Sequence, residues 1–182
     1  MSDSRESQRY LESRRLRLVA ASASLVHEDL GGPGRLATAL GVRVPDNWPP
    51  DLYDYSAMQY AARLLVDPVE ARWSFWYLVD RLGDEETLIG ICGFKGRPDI
   101  KGSVEIGYSI LSQYRGQGFA SEAVGRLVDW AFTHGAVLEV CAETFPHLRQ
   151  SIRVLQKNGF SPAGRGSEHG VVRFALQRKD LD

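Results

Sequence analysis

Cysteine is scarce in this chain of 182 residues: Cys92 and Cys141 are the only two, and neither stands in a metal-ligand spacing. A disulfide framework or a cysteine-held metal is therefore not expected. Both cysteines lie in apolar runs (LIGICGF and LEVCAE) and read as buried small hydrophobes of a reducing compartment. An excess of one charge is also missing. The 22 basic and 23 acidic side chains leave a formal net charge of -1. Wholesale nucleic-acid binding normally needs a clear basic excess, although such a total would hide a local basic pocket. No apolar run approaches the roughly 20 residues that span a bilayer. The first residues, MSDSRESQRYLESRR, lack the apolar stretch of a signal peptide. The expectation is a cytoplasmic protein that engages neither membrane nor nucleic acid.

What is present describes a globular chain. Apolar residues make up 43% and charged residues 25%, within the range of soluble domains. Residues 1–14 read as a flexible polar tail, and residues 15–182 as a single domain. Leu16-Arg17-Leu18-Val19-Ala20 alternates and then turns apolar, as a short strand does. Residues 22–41 carry a weak helical pattern broken by Gly31-Gly32-Pro33-Gly34, and residues 57–66 restore a helical period. Segments 73–79, 87–94 and 103–111 are aromatic or β-branched and joined by short turns, which predicts an antiparallel meander.

The clearest element follows. From Phe119 to Thr133, Ala120, Ala123, Val124, Leu127, Val128 and Ala131 form one continuous apolar stripe at helical spacing. A strand over 137–142, a helix over 147–158 and two closing strands complete a mixed α/β (α+β) pattern. It predicts a mostly antiparallel central sheet flanked by helices.

The chemistry concentrates where strand 103–111 turns into that helix, at Gln113-Tyr114-Arg115-Gly116-Gln117-Gly118. Glycines let backbone approach a ligand closely, and the free N–H groups of the helix start then point at it. With the positive end of the helix dipole this is an anion site suited to phosphate or pyrophosphate, to which Arg115 adds charge. A plain tight turn is the competing reading. A dinucleotide fingerprint, with Glu139 about 20 residues on, is the other competing reading; it fits the context poorly, because Ser121 stands where a third glycine or alanine is wanted and an antiparallel meander precedes the loop.

Residues 113–118 match the Q/R-x-x-G-x-G/A loop of the GNAT acetyltransferases. Glu105-Ile106-Gly107-Tyr108 and Ala120-Ser121-Glu122-Ala123 resemble the branch that includes the ribosomal-protein N-terminal acetyltransferases. Residues 151–160 are similar to that branch's second motif. The resemblance implies a GNAT-like fold. It also implies an N-acetyltransferase that moves an acetyl group from acetyl-CoA to a primary amine, on a protein N-terminus or a small molecule. The pantetheine arm would run beside strand 104–111, where that strand parts from strand 137–142. The implied cofactor contacts are Ile110, Leu111, Gln113, Arg115, Gly116, Gln117, Gly118, Phe119, Ala120 and Ser151, with no metal. An acyl-CoA-binding module without catalysis is the alternative. The assembly is expected to be a monomer or homodimer.

Strand alternation leaves Glu105, Gly107 and Ser109 on one face of strand 103–111, a face short of bulk that a ligand could approach. Acetyl transfer needs a neutral amine and a proton for the departing thiolate. Glu105 is the candidate base, acting through water, with Glu122 and Glu143 as weaker candidates. Two departures bear on the acid. Leu148 stands where many family members carry a cofactor-contacting Asn, and Leu155 where many carry the acidic Tyr. Ser151 and Tyr108 are the remaining hydroxyls. The segment Trp48-Pro49-Pro50 with Tyr53, Asp54 and Tyr55 falls where this branch has its variable acceptor loops. It reads either as an aromatic wall for an amine or as loop packing over the core. His27, His134, His147 and His169 are scattered and carry no assigned role.

Overall fold

A computed structural model describes residues 9–178 of the protein. In chain order its elements are β1 (Tyr10–Glu12), β2 (Leu16–Ala20), α1 (Ala23–Leu30), α2 (Pro33–Leu40), α3 (Tyr55–Leu64), α4 (Pro68–Arg72), β3 (Phe75–Asp80) and β4 (Thr87–Phe94). There follow β5 (Ser103–Ile110), α5 (Phe119–Phe132), β6 (Glu139–Thr144), α6 (Arg149–Lys157), β7 (Ser161–Arg165) and β8 (Val172–Gln177). The strands form one sheet in the order β1-β2-β3-β4-β5-β6-β8-β7. Neighbours run antiparallel except β5 and β6, which are parallel. The expected mixed, mostly antiparallel sheet between helices is the observed fold.

Each sheet face carries its own helical layer. On one side α5 lays Ala123, Val124, Leu127, Val128 and Ala131 against Leu18, Trp76, Ile89, Val104 and Ile106, all buried. This is the stripe read from the sequence, because residues three and four apart share a helix face. On the other side α1–α3 cover Val19, Tyr77, Val79 and Leu88 with Val26, Leu36 and Met58. The second layer is pinned by a buried carboxylate. Asp29, at the end of α1 and 3% exposed, accepts hydrogen bonds from Trp48 Nε1 at 2.8 Å, Tyr77 Oη at 2.9 Å and Tyr53 Oη at 3.2 Å.

Several boundaries differ from the sequence reading. The polar tail expected over 1–14 ends earlier, since Tyr10–Glu12 pair with Arg17–Val19 as an edge strand too short to show alternation. Residues 1–8 lie outside the described residues. The expected break at 31–34 narrows to Gly31-Gly32, because Pro33 suits the first turn of α2. Trp73 and Ser74 precede β3, as the unexpected short helix α4 runs up to Arg72. The strand expected over 137–142 is displaced to Glu139–Thr144, and the helix expected over 147–158 shortens to Arg149–Lys157.

Burial pushes the Asp29 carboxyl above its usual range, although the hydrogen bonds from Trp48, Tyr77 and Tyr53 pull it partly back. The folded chain therefore holds that proton more tightly than the unfolded one. Its contribution falls as pH rises from about 4, the unfolded reference, through the raised folded value. Asp29→Ala would strand three buried donors and is expected to cost about 2–4 kcal/mol in urea unfolding. Wild type should lose ground to Asp29→Asn as pH rises through that window, measured by denaturant titrations at successive pH values.

Candidate active site

The site begins with a break in the sheet. β5 and β6 are in register only over Ser103↔Glu139, Val104↔Val140 and Glu105↔Cys141. The closed end is clamped: Gly102 accepts the amides of Leu138 and Glu139 at 2.8 and 3.1 Å. A Cβ at Gly102 would lie 2.8 Å from the Ala136 carbonyl, so only glycine allows this approach. Ser103 Oγ, Arg173 and Gln177 all converge on the Glu139 carboxylate. Burial alone would raise that carboxyl, but the bonds from Ser103, Arg173 and Gln177 hold it below the usual range.

Past Glu105 the strands part. Glu105 O and Leu111 N bond on the β4 side, so alternation turns the backbone groups of Ile106, Tyr108 and Ile110 toward the gap. The Ile110 carbonyl is taken by Arg115 Nε at 2.8 Å. At the gap, Tyr108 Oη lies 2.9 Å from Ser151 Oγ and 3.1 Å from the Ser151 carbonyl, tying β5 to the first turn of α6. The two hydroxyls expected as alternatives are thus one pair. Burial pushes the Tyr108 phenol up to about 12, with the Ser151 bond pulling against it, so the phenol stays protonated at neutral pH.

A backbone cradle stands beside the gap. Gly116 and Gly118 have φ of 74° and 83°, the left-handed region that favours glycine. Among the described residues, none accepts the amides of Gly116, Gln117, Gly118, Phe119, Ala120 or Ser121. The first bonded amide is that of Glu122, to Gly118 O at 3.1 Å. A Cβ built on Gly116 meets nothing within 4 Å, so the space above the loop is open. Six consecutive unfilled donors at a helix N-terminus are an arrangement that suits an anion.

Some expected cofactor contacts have partners inside the protein. Gln113 makes a reciprocal amide pair with Asn47, both bonds 2.9 Å. Arg115, besides Ile110 O, donates to Asp51 Oδ2 at 2.6 Å in an exposed pair. Leu111 and Phe119 are buried in the two cores, while Ala120 is half-buried on the first turn of α5. A second cation that the sequence did not reveal reaches the loop. Arg15 donates to Gln117 O at 2.9 Å, and its guanidinium lies 4.3 Å from the Phe119 ring centroid.

The carboxylates separate by environment. Glu122 accepts from Ser13 Oγ, Arg15 N and Arg15 Nε at 2.6–2.7 Å, so this weaker candidate is a structural anchor. Glu143 is likewise bound by Ser167, through N at 2.9 Å and Oγ at 2.7 Å. Glu105 is half-buried and pairs with Lys95, on the same face as Gly107 and Ser109. Burial raises the thiols of Cys92 and Cys141, which suits their packing role. In the segment expected to meet an acceptor, Trp48 and Tyr53 are buried on Asp29, Asp54 caps α3 through Ala57 N, and Tyr55 is exposed. Loop packing is the observed arrangement for Trp48, and Tyr53 alone of these also lines a groove.

The family model for an acetyltransferase (GNAT) domain matches residues 41–161. The curated relative YjdG of Bacillus subtilis (strain 168), an uncharacterized N-acetyltransferase, is 27% identical over 87% of this chain and 94% of its own. Among solved structures, a ribosomal-protein-S5-alanine acetyltransferase from Vibrio fischeri superposes with a TM-score of 0.68. The two are 19% identical, over 96% of this chain and 99% of the other. The self-immunity acetyltransferase MccE, solved with acetyl-CoA and AMP, gives a TM-score of 0.62 at 12% identity, over 91% of this chain and 93% of the other.

The Glu122 anchor sets a measurable expectation. Burial acts to raise its carboxyl, but the bonds from Ser13 and Arg15 outweigh burial and hold it low. A depressed carboxyl stabilises the fold above its unfolded value of about 4.3, and that contribution is lost as pH falls through the folded value. Glu122→Gln is expected to cost about 1–2 kcal/mol at neutral pH. The gap from wild type should close below about pH 4, as followed by thermal unfolding.

Proposed function

The chain belongs to the GNAT acetyltransferases and is an acyltransferase, and from that premise we propose that it transfers an acetyl group from acetyl-CoA to a primary amine. The amine is that of a small molecule or a protein N-terminus. The observation that carries the reading is the run of six unfilled amides from Gly116 to Ser121, beside the open edge of β5. The donor set fits a pyrophosphate, since it offers many N–H groups, open space over Gly116 and the positive end of α5. Arg15 and Arg115 add charge; the exposed Arg115–Asp51 pair is worth under about 1 kcal/mol, so its release costs little. Acetyl-CoA supplies the activated acetyl thioester.

The remaining work falls to three side chains. The backbone groups of Ile106 and Tyr108 on the open edge suit an extended amide-bearing arm, paired as a strand would be. Glu105 acts as base through water: an α-amino group near 7.7–8.0 needs little help, and a lysine amine near 10.4 needs far more. The departing sulfur requires one proton. The Tyr108–Ser151 pair can deliver it, because the phenol remains protonated and the half-buried Ser151 hydroxyl can relay a proton from solvent back to the phenolate. Leu148 and Leu155, which resemble neither the Asn nor the Tyr of many family members, leave these duties to that pair. No described helix is long and apolar enough to cross a membrane, and the reading is that of a cytoplasmic enzyme.

Two variants test the assignment. Glu105→Gln should lower kcat about a hundredfold while the Kd for acetyl-CoA stays within twofold, read by thiol release and calorimetry. Wild-type rates across the pH range would exclude Glu105 as the base. Gly116→Val fills only open space within the protein but intrudes on the cradle and strains φ. It should weaken acetyl-CoA binding about tenfold or more with the helix content unchanged. Acetyl-CoA binding without any amine-dependent thiol release would leave only the binding-module alternative.

A further inference from the structure

A groove of about 370 Å³ opens on the α1–α4 side of the sheet, between α3 and the ends of β3 and β4. Its walls are mostly carbon, from Tyr53, Tyr60, Phe75 and Ile91, and Lys95 and Glu70 are its charged lining residues. That volume suits a small molecule.

The groove adjoins the candidate base through Lys95, which lines it and pairs with Glu105. Register pairs Ile91 with Ser109 and Gly93 with Gly107, and Lys95 N donates to Glu105 O at 3.0 Å. Cross-strand partners share a face, so the floor of the groove continues across the bare side of β5. A Cβ on Gly107 would find only Lys95 Cε, at 3.9 Å. Lys95 therefore borders both the groove and the surface over Gly107, next to the open edge of β5.

The charges near the groove are already matched. Glu70 lies 3.6 Å from Arg97, and Glu105 pairs with Lys95. Among the lining residues a polycation would find no unpaired carboxylate, and Lys95 and the nearby Arg97 would repel it. A single amine on an apolar body would bury its carbon against the aromatic walls. It would need only one exchange, its own ammonium for that of Lys95 at Glu105. We propose that the acceptor is a primary monoamine on an apolar body of aromatic size, seated in this groove with its nitrogen toward Glu105. The inference rests on the acetyl-transfer reading and narrows its acceptor.

The test uses the full chain with 2-phenylethylamine and spermidine as probes, followed both by calorimetric binding and by acetyl-CoA-dependent thiol release. 2-Phenylethylamine should bind and be acetylated with a kcat/KM about tenfold or more above that of spermidine. Ala57→Glu places an unpaired carboxylate on the α3 wall. It should raise the KM for 2-phenylethylamine about tenfold while the Kd for acetyl-CoA stays within twofold. Should that variant fail to fold, Tyr60→Ala, at a mostly exposed position, should raise the same KM about threefold. Preference for spermidine, absence of 2-phenylethylamine binding, or an unchanged KM in the folded variants would overturn the groove assignment. Groove-dependent binding of 2-phenylethylamine with no thiol release from any amine would instead support the groove and overturn the acetyl-transfer reading.

Discussion

The site depends on how briefly β5 and β6 stay together. Three residue pairs hold them in parallel register, and everything chemically useful follows from their parting after Glu105. Parallel strands normally pair over their shared length, so an abrupt end needs fixing on both sides. At the closed end, Gly102 brings the backbones into contact, and Ser103, Arg173 and Gln177 gather on Glu139. At the open end, the Tyr108–Ser151 pair ties β5 to α6 without closing the ladder. An edge that would otherwise be a liability is thus confined to a few residues inside the protein.

β5 divides labour by alternation. Its even-numbered side chains, Val104, Ile106, Tyr108 and Ile110, turn to α5 and α6, where the glycine cradle and the hydroxyl pair also lie. Its odd-numbered ones, Glu105, Gly107 and Ser109, turn to the face where α3 and the groove sit. On the proposed reading one strand presents a donor side and an acceptor side on its opposite faces, and the two would meet at the gap beside it. Two carboxylates outside the proposed chemistry, buried Asp29 and half-buried Glu122, serve this geometry. Asp29 holds the 48–53 segment against the sheet, and Glu122 holds the residues before β2 against the start of α5.

The parts legible in the sequence were those written in local periodicity or local backbone chemistry. The stripe of α5, the strands of the meander and the Gly116–Gly118 turn each occupy a window short enough to be read directly. The parts that escaped are long-range pairings of polar side chains. Arg15 meets Glu122 across 107 positions, and Trp48 meets Asp29 across 19, with no spacing rule that would announce either. Lys95 and Glu105 stand only 10 apart, yet their pairing depends on the β4–β5 register, which the turn between them had to set first. β1 escaped for a different reason: three residues cannot show alternation, and only its partner strand defines it.

The same pairings explain how a chain of formal net charge -1 can carry a cationic cradle. Glu122 and Asp51 neutralise part of Arg15 and Arg115, so the total conceals charge that is local and directed at the loop. The departures at Leu148 and Leu155 then acquire a physical sense. Leu155 is fully buried in the apolar core shared with α5, where a phenol would need a hydrogen-bond partner. A hydroxyl near the gap must come from elsewhere. Tyr108 reaches it from β5 and Ser151 from the first turn of α6, and their mutual bond satisfies both groups. The proton donor that the second motif lacks can therefore come from across the gap, with one member on each wall.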